Sequence, residues 1–289
     1  WGLFLNRLLA RPTVIRLVRW LDYILVRNHV YDALFEKYTP DLVFLANLFE
    51  GPETHLLRAA RKRGVKTVAL LNSWDKTTAR CLLRLLPDKI IAWNEQVKSD
   101  LMQHDLVKAD DIYVSGIPHY DEYFRSVNFS KEEFFTKLGL PTDRKLVVYS
   151  PVGRGPAGNA DWDVIDMLHE LSESQEIRER FSLLVRFPPI DFVDENEAKK
   201  RKWLVYDYPG IRFSSKRCLD WDMGYDELVH LRETLAAMSL MICFSSSISV
   251  DSVIFDKPVI NLNFNVRQSV FPSKAATEYY KMEHYRAAL

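Results

Sequence analysis

The chain has 289 residues, with 39 Lys+Arg against 39 Asp+Glu, 47% apolar and 27% charged residues. That balance excludes a disordered chain, which needs low hydrophobicity and a large net charge, and argues against a nucleic-acid binder, which carries a basic excess. No apolar run approaches the roughly 18 residues that a membrane-spanning helix needs.

Cys81, Cys218 and Cys243 are odd in number, far apart and without CxxC spacing. They predict buried apolar thiols in a reducing compartment, not a disulfide framework or a zinc site. The chain opens on Trp1 and ends inside a helical pattern at 274–289, which reads as a fragment or a processed product. Arg residues break the apolar parts of the first 30 positions, so no signal peptide is expected there.

In chain order, residues 13–36 read as one helix. Val14, Leu17, Val18, Leu21, Ile24 and Leu25 recur at helical spacing. Residues 1–30 hold five Arg and one Asp. Two readings follow: a core helix with a solvated basic face, or an interfacial helix lying on an anionic membrane. Strand and helix signals then alternate: strands at 41–46, 66–71, 89–93 and 111–115, helices at 52–63, 77–86 and 95–104. Short apolar strands separated by helices predict parallel βαβ units.

The aperiodic stretch 116–130 places a domain boundary at 120/121, giving domains 1–120 and 121–289. Ser130 to Glu133 is a capping box. The alternation restarts with strands at 145–149, 182–186, 211–213, 240–244 and 258–262, and helices at 161–173, 196–203, 225–238, 248–255 and from 274 onward. The expected fold is α/β, with two Rossmann-like domains facing each other. The acidic stretch 161–197 reads as a solvated helical face, and Asp220, Trp221 and Asp222 as an exposed polar loop.

The segment CFSSSISVDSVIFDKPVI at 243–260 carries the strongest chemical signal. An apolar strand ends in Ser245, Ser246 and Ser247, where a helix begins. Unpaired N–H groups there favour an anion, and the hydroxyls add donors for phosphate oxygens. Capping of the helix by those serines is the plainer role. Asp251 lies one turn further in, within reach of a ribose hydroxyl.

This segment resembles the strand, Ser-rich turn, helix and "KPVI" element of GT-B glycosyltransferases, shared by UDP-GlcNAc 2-epimerases and by the CDP-glycerol glycerophosphotransferases of teichoic acid synthesis. Three other blocks extend the resemblance over residues 40–262. VSGIPHYD at 114–121 is similar to their "V-T-G-x-P-x-x-D" crossing, and LLVRFPP at 183–189 to their "R-x-H-P" strand end. NSWD at 72–75 with IAWNE at 91–95 is similar to the "S-W-D … W-N-E" pattern of surface-polysaccharide glycosyltransferases. The chain departs from the glycerophosphotransferase pattern twice. Pro188 stands where that family has His, and Trp74-Asp75-Lys76 stands where it has "W-H-G". These departures shift the expected substrate from glycerol phosphate toward a sugar.

The resemblance implies a transferase that needs a nucleotide-sugar donor and neither a cofactor nor an active-site metal. Arg186, Ser245, Ser246 and Ser247 would hold the donor phosphates and Asp251 its ribose. The loop YSPVGRGP at 149–156 adds Gly153 and Gly155 for close backbone approach and Arg154 for charge. An acceptor hydroxyl needs a base, and Asp75, just past a strand end, is the candidate, with N-capping of the next helix as its plainer role. Trp74, His119 and Asp121 would flank the acceptor. The acceptor would be a cell-envelope glycan or a lipid-linked molecule. Nucleic acid is not an expected partner, and the expected location is cytoplasmic, peripheral at the inner membrane face. The alternatives are a sugar-nucleotide 2-epimerase and a non-catalytic binding or scaffold domain.

Overall fold

The computed structural model describes residues 9–73, 76–79, 82–125, 129–153, 160–175, 177, 180–213, 221–244 and 246–263. The chain divides between Asp121 and Glu122 into two compact units, inside a 3-10 helix at Pro118–Phe124. Within each unit the large sheet is wholly parallel.

The first unit opens with α1 (Pro12–Leu25) and α2 (Asp32–Tyr38). The single helix predicted over 13–36 is therefore two. Asn28 breaks it: its side-chain oxygen accepts from the Val30 N–H at 2.9 Å, the local alternative to helix that Asn favours. The apolar stripe also points the other way from a core helix. Leu17, Val18, Leu21, Ile24 and Leu25 are exposed, Leu25 by 69%. The polar residues face inward instead. Arg19 donates to the Leu83 and Asp105 carbonyls at 2.8 and 2.6 Å and pairs with the Asp105 carboxylate at 3.0 Å. Asp22 accepts from Arg58 and Arg84.

The sheet of this unit has the order β1 (Leu42–Leu45), β2 (Lys66–Leu70), β3 (Lys89–Ala92) and β4 (Ile112–Val114). Between the strands run α3 (Gly51–Lys62), α4 (Lys76–Ala79) and α5 (Glu95–His104). Strands added in sequence order by right-handed crossovers put their connecting helices on one face. At the β1 edge, Val43 and Leu45 are buried while Leu42 and Phe44 are exposed. Gly64 follows α3 with φ +70, the left-handed stop that glycine permits. The helix predicted over 77–86 is shorter, because 82–88 lead irregularly through Pro87 into β3.

The second unit has α6 (Lys131–Lys137), whose first turn is capped by Ser130 Oγ accepting from the Glu133 N–H at 3.2 Å. Its sheet joins β5 (Lys145–Ser150), β6 (Phe181–Arg186), β7 (Tyr206–Asp207), β10 (Leu240–Cys243) and β11 (Val259–Asn261). The order is β11-β10-β5-β6-β7. The helices are α7 (Ala160–Ser172), α8 (Glu195–Lys200), α9 (Tyr225–Ala237) and α10 (Ile248–Ile254). The strand predicted at 211–213 does not join this sheet. β8 (Ile211–Arg212) pairs antiparallel with β9 (Trp221–Asp222) in a two-stranded ribbon, and β7, not predicted, takes the edge position. The central strand β5 is buried over 146–150, as a strand covered on both faces must be. The helix expected from 274 onward lies outside the described residues.

Candidate functional site in the second unit

The strand order of the second sheet runs outward from β5 in two directions: to β6 and β7 on one side, to β10 and β11 on the other. Such a reversal leaves a crevice beyond the carboxyl ends of the two central strands, where open α/β sheets bind ligands. A cavity of about 340 Å³ lies at that point. Its wall takes Ser150 from the end of β5, Arg186 from the end of β6, and Ser246, Ser247, Ile248 and Asp251 from the turn and helix after β10. Apolar side chains complete the wall, among them Pro188, Pro189, Ile190, Pro209, Met223 and Leu231. A volume of this size suits a small organic ligand, with a few polar groups to orient it.

Four of the sequence-predicted residues are thus brought together. Arg186 is 5% exposed. Its Nη1 donates to Asp207 Oδ2 at 3.1 Å, and the same oxygen lies 2.9 Å from His230 Nε2. Burial lowers the guanidinium pKa, against the pull of Asp207. Burial also works to raise the Asp207 carboxyl, but His230 and Arg186 outweigh it and hold that group below its usual range. Asp251 is buried. Ser247 occupies the N-cap position of α10 without a side-chain capping bond, and the Ser246 carbonyl accepts from the Ser249 hydroxyl at 2.6 Å.

Gly153 lies apart, on a smaller cavity of about 30 Å³ shared with Asp161 and Asp191. Its N–H donates to Asp161 Oδ2 at 2.9 Å, so a protein carboxylate takes the donor assigned to phosphate. Its φ is +92, and a Cβ there would stand 2.5 Å from Asp191 Oδ2. Asp161 also accepts from the Tyr149 hydroxyl at 2.8 Å and the Val152 N–H at 3.2 Å. This buried carboxylate ties down the segment that supplies Ser150, Pro151 and Val152 to the larger cavity.

In the first unit, His119 has its ring edge-on to Trp93 and Tyr120, at 6.1 and 4.2 Å between centroids, and enclosure lowers its pKa. Asp121 is exposed. Trp74, Asp75, Arg154, Gly155 and Ser245 lie outside the described residues. Sequence reasoning missed Asp161, Asp207 and His230. The first was absorbed into an acidic helical face. The other two meet Arg186 only through strand pairing and helix packing, which no spacing records. Among the described residues no cluster of three His, Cys, Asp or Glu is arranged to hold a metal ion, and no helix is long and apolar enough to cross a membrane.

Comparison with known proteins sets this geometry in a family. A curated relative from Bacillus spizizenii, named teichoic acid poly(ribitol-phosphate) polymerase, is 19% identical over 180 residues, 62% of this chain and 26% of that protein. The UDP-GlcNAc 2-epimerase of Methanocaldococcus jannaschii superposes with a TM-score of 0.53 at 15% identity, over 80% of this chain and 64% of that one. The Neisseria meningitidis enzyme bound to UDP-GlcNAc gives 0.51 at 13%, over 81% and 63%. The chain therefore spans about a quarter of the curated relative and less than two thirds of either epimerase. The structural likenesses establish the GT-B fold. The family model for CDP-Glycerol:Poly(glycerophosphate) glycerophosphotransferase matches residues 86–268, well over half of the chain and including β3, β4 and the cavity-lining residues of the second unit. The chain belongs to that glycerophosphotransferase family.

Proposed function

We propose that this protein is a cell-envelope transferase of glycosyltransferase type, and that the second unit binds the diphosphate of its nucleotide-activated donor. One observation carries the reading: Arg186, Ser246, Ser247 and Asp251 converge on one cavity at the carboxyl edge of a parallel sheet, at its point of reversal. Arg186 neutralises the charge that develops as the diphosphate leaves, and the serine hydroxyls donate to its oxygens. Asp251 takes a ribose hydroxyl. The apolar wall of prolines, Ile190 and Met223 accepts the flat base. Because a guanidinium supplies the positive charge, transfer proceeds without a divalent metal and persists in a chelator. Asp75 is the proposed base toward the acceptor hydroxyl, with Trp74, His119 and Asp121 toward the acceptor.

The acceptor is a glycan or a lipid-linked polymer, and α1 brings the protein to it at the inner membrane face. Leu17, Val18, Leu21, Ile24 and Leu25 form an exposed apolar arc of about 120°. Trp20, Arg16 and Arg11 lie beside it and are also exposed, whereas the acid of this helix, Asp22, is turned inward to Arg58 and Arg84. An apolar stripe with basic flanks fits an anionic lipid surface.

The test is a thermal-shift screen with CDP-glycerol, CDP-ribitol, UDP-GlcNAc and GDP-mannose. A donor at about 100 times its Kd stabilises the fold by roughly 2.7 kcal/mol. A shift with one donor, lost in Arg186→Gln, supports the reading and separates a polyol phosphate from a sugar. Absence of a shift with all four refutes it.

A further inference from the structure

The register of β6 against β7 sets Arg186 beside Asp207. Helix α9 then brings His230 to the same Asp207 oxygen that Arg186 uses. The three side chains are 5%, 11% and 19% exposed, so their charges are poorly screened. We infer that Asp207 and His230 are positioning residues for the anion held at Arg186: Asp207 fixes the guanidinium at the cavity wall, and proton uptake by His230 adds the positive charge that Asp207 cancels. This rests on the donor-site reading above.

The charge count gives the sign. With neutral His230, Arg186 and Asp207 sum to zero, and the trio offers a diphosphate only a dipole. With protonated His230 the trio carries +1. Asp207 stays ionised throughout, since its two partners hold its carboxyl below the usual range. The groups around the imidazole are Asp207 on β7 and Arg186 on β6, Glu227 one turn back on α9, and the Phe134 ring on α6 at 5.6 Å. Tyr123 and Glu227 add to the field at Arg186. Linkage is reciprocal: if the proton favours the anion, the anion favours the proton. Donor affinity therefore rises as pH falls, and binding is accompanied by proton uptake.

The experiment is calorimetry of the full chain with CDP-glycerol and, separately, UDP-GlcNAc, in buffers of different ionisation heat. The phosphates of both are diesters that do not titrate near neutral pH, so any proton uptake belongs to the protein. The expected result is affinity about 3- to 10-fold higher at pH about 5.5 than at about 8, with net proton uptake. His230→Gln keeps a donor for Asp207 without a titrating charge, and its pH profile and proton uptake become flat. Asp207→Asn removes the cancelling charge, so it binds more tightly than wild type at the higher pH. A purely structural role for the pair would leave the pH profile of His230→Gln like that of wild type, which overturns the inference. Absence of binding by either donor at every pH overturns the donor-site reading, and this inference with it.

Discussion

Replacing Asp161 by Ala removes the acceptor shared by the Tyr149 hydroxyl and the Val152 and Gly153 N–H groups. Tyr149 and Gly153 are buried, so each of these two donors loses its partner at about 1–3 kcal/mol. The adjoining cavity of about 30 Å³ admits one water to one of them. The expected cost is therefore about 3 kcal/mol. With an m-value of about 2 kcal/mol/M, the urea midpoint of the second unit falls by about 1.5 M. Asp161→Asn keeps one acceptor oxygen but turns an amide N–H toward Gly153, and costs about half as much. Tyr149→Phe leaves the two backbone bonds intact and costs least. Burial, the larger effect, raises the Asp161 carboxyl above its usual range despite the donors around it. A raised carboxyl contributes stability that is full at low pH and is lost as pH rises from the ordinary carboxylate range through the folded value. Asp161→Asn abolishes that slope. Urea unfolding of the three variants between about pH 4 and 8 tests the order and the sign. A midpoint change under about 0.5 M for Asp161→Ala would show that the carboxylate does not hold the loop.

Gly153→Ala drives a Cβ to within 2.5 Å of Asp191 Oδ2 at a φ that only glycine adopts without strain. It should cost about 1–3 kcal/mol and weaken donor binding, both readable in one ligand-titrated melt. Leu21→Glu with Ile24→Glu should abolish sedimentation with vesicles containing phosphatidylglycerol and leave the melting temperature unchanged, since both residues are exposed. Loss of the fold instead would mean that this face is packed. Cys243 is fully buried, and burial pushes its thiol up to about 12. It should resist alkylation at pH about 8 until the chain is unfolded, as mass spectrometry of the digested protein would show.

The parallel architecture was legible because buried strands such as 145–149 and 240–244 are short, continuous and apolar, and because Ser130 and Gly64 mark helix ends by local chemistry. Proximity was not legible. β7 contributes only Tyr206 and Asp207, too short for any periodicity, and its value lies in the neighbour that strand pairing provides. For α1 the pattern was read correctly as amphipathic, but amphipathicity does not say which face meets the protein. Arg19 and Asp22 had waiting partners in Asp105, Arg58 and Arg84, which lie from 36 to 86 positions away in sequence. Of the four predicted residues that meet at the cavity, Arg186 ends β6, Ser246 and Ser247 lie in the turn after β10, and Asp251 lies in the first turn of α10, so the strand ends and the helix that follows bring them together. Gly153 shows the converse. Its permissive backbone was legible, but the carboxylate that claims its N–H lies in the next helix, in an acidic stretch whose composition reads as solvated surface.

The inward charges of α1 have a consequence for how the helix comes off. A helix docked through apolar contact must expose a greasy face when it detaches, and it unfolds together with the core beneath it. No residue of α1 is fully buried, and its main anchors are the Arg19–Asp105 and Asp22–Arg58 pairs. Detachment therefore rehydrates ions, and the apolar contact it breaks is that of partly buried side chains such as Tyr23. That makes α1 a separate, low-energy opening unit, whose amides exchange well before those of β2 and β3, and whose grip weakens when salt screens its ion pairs.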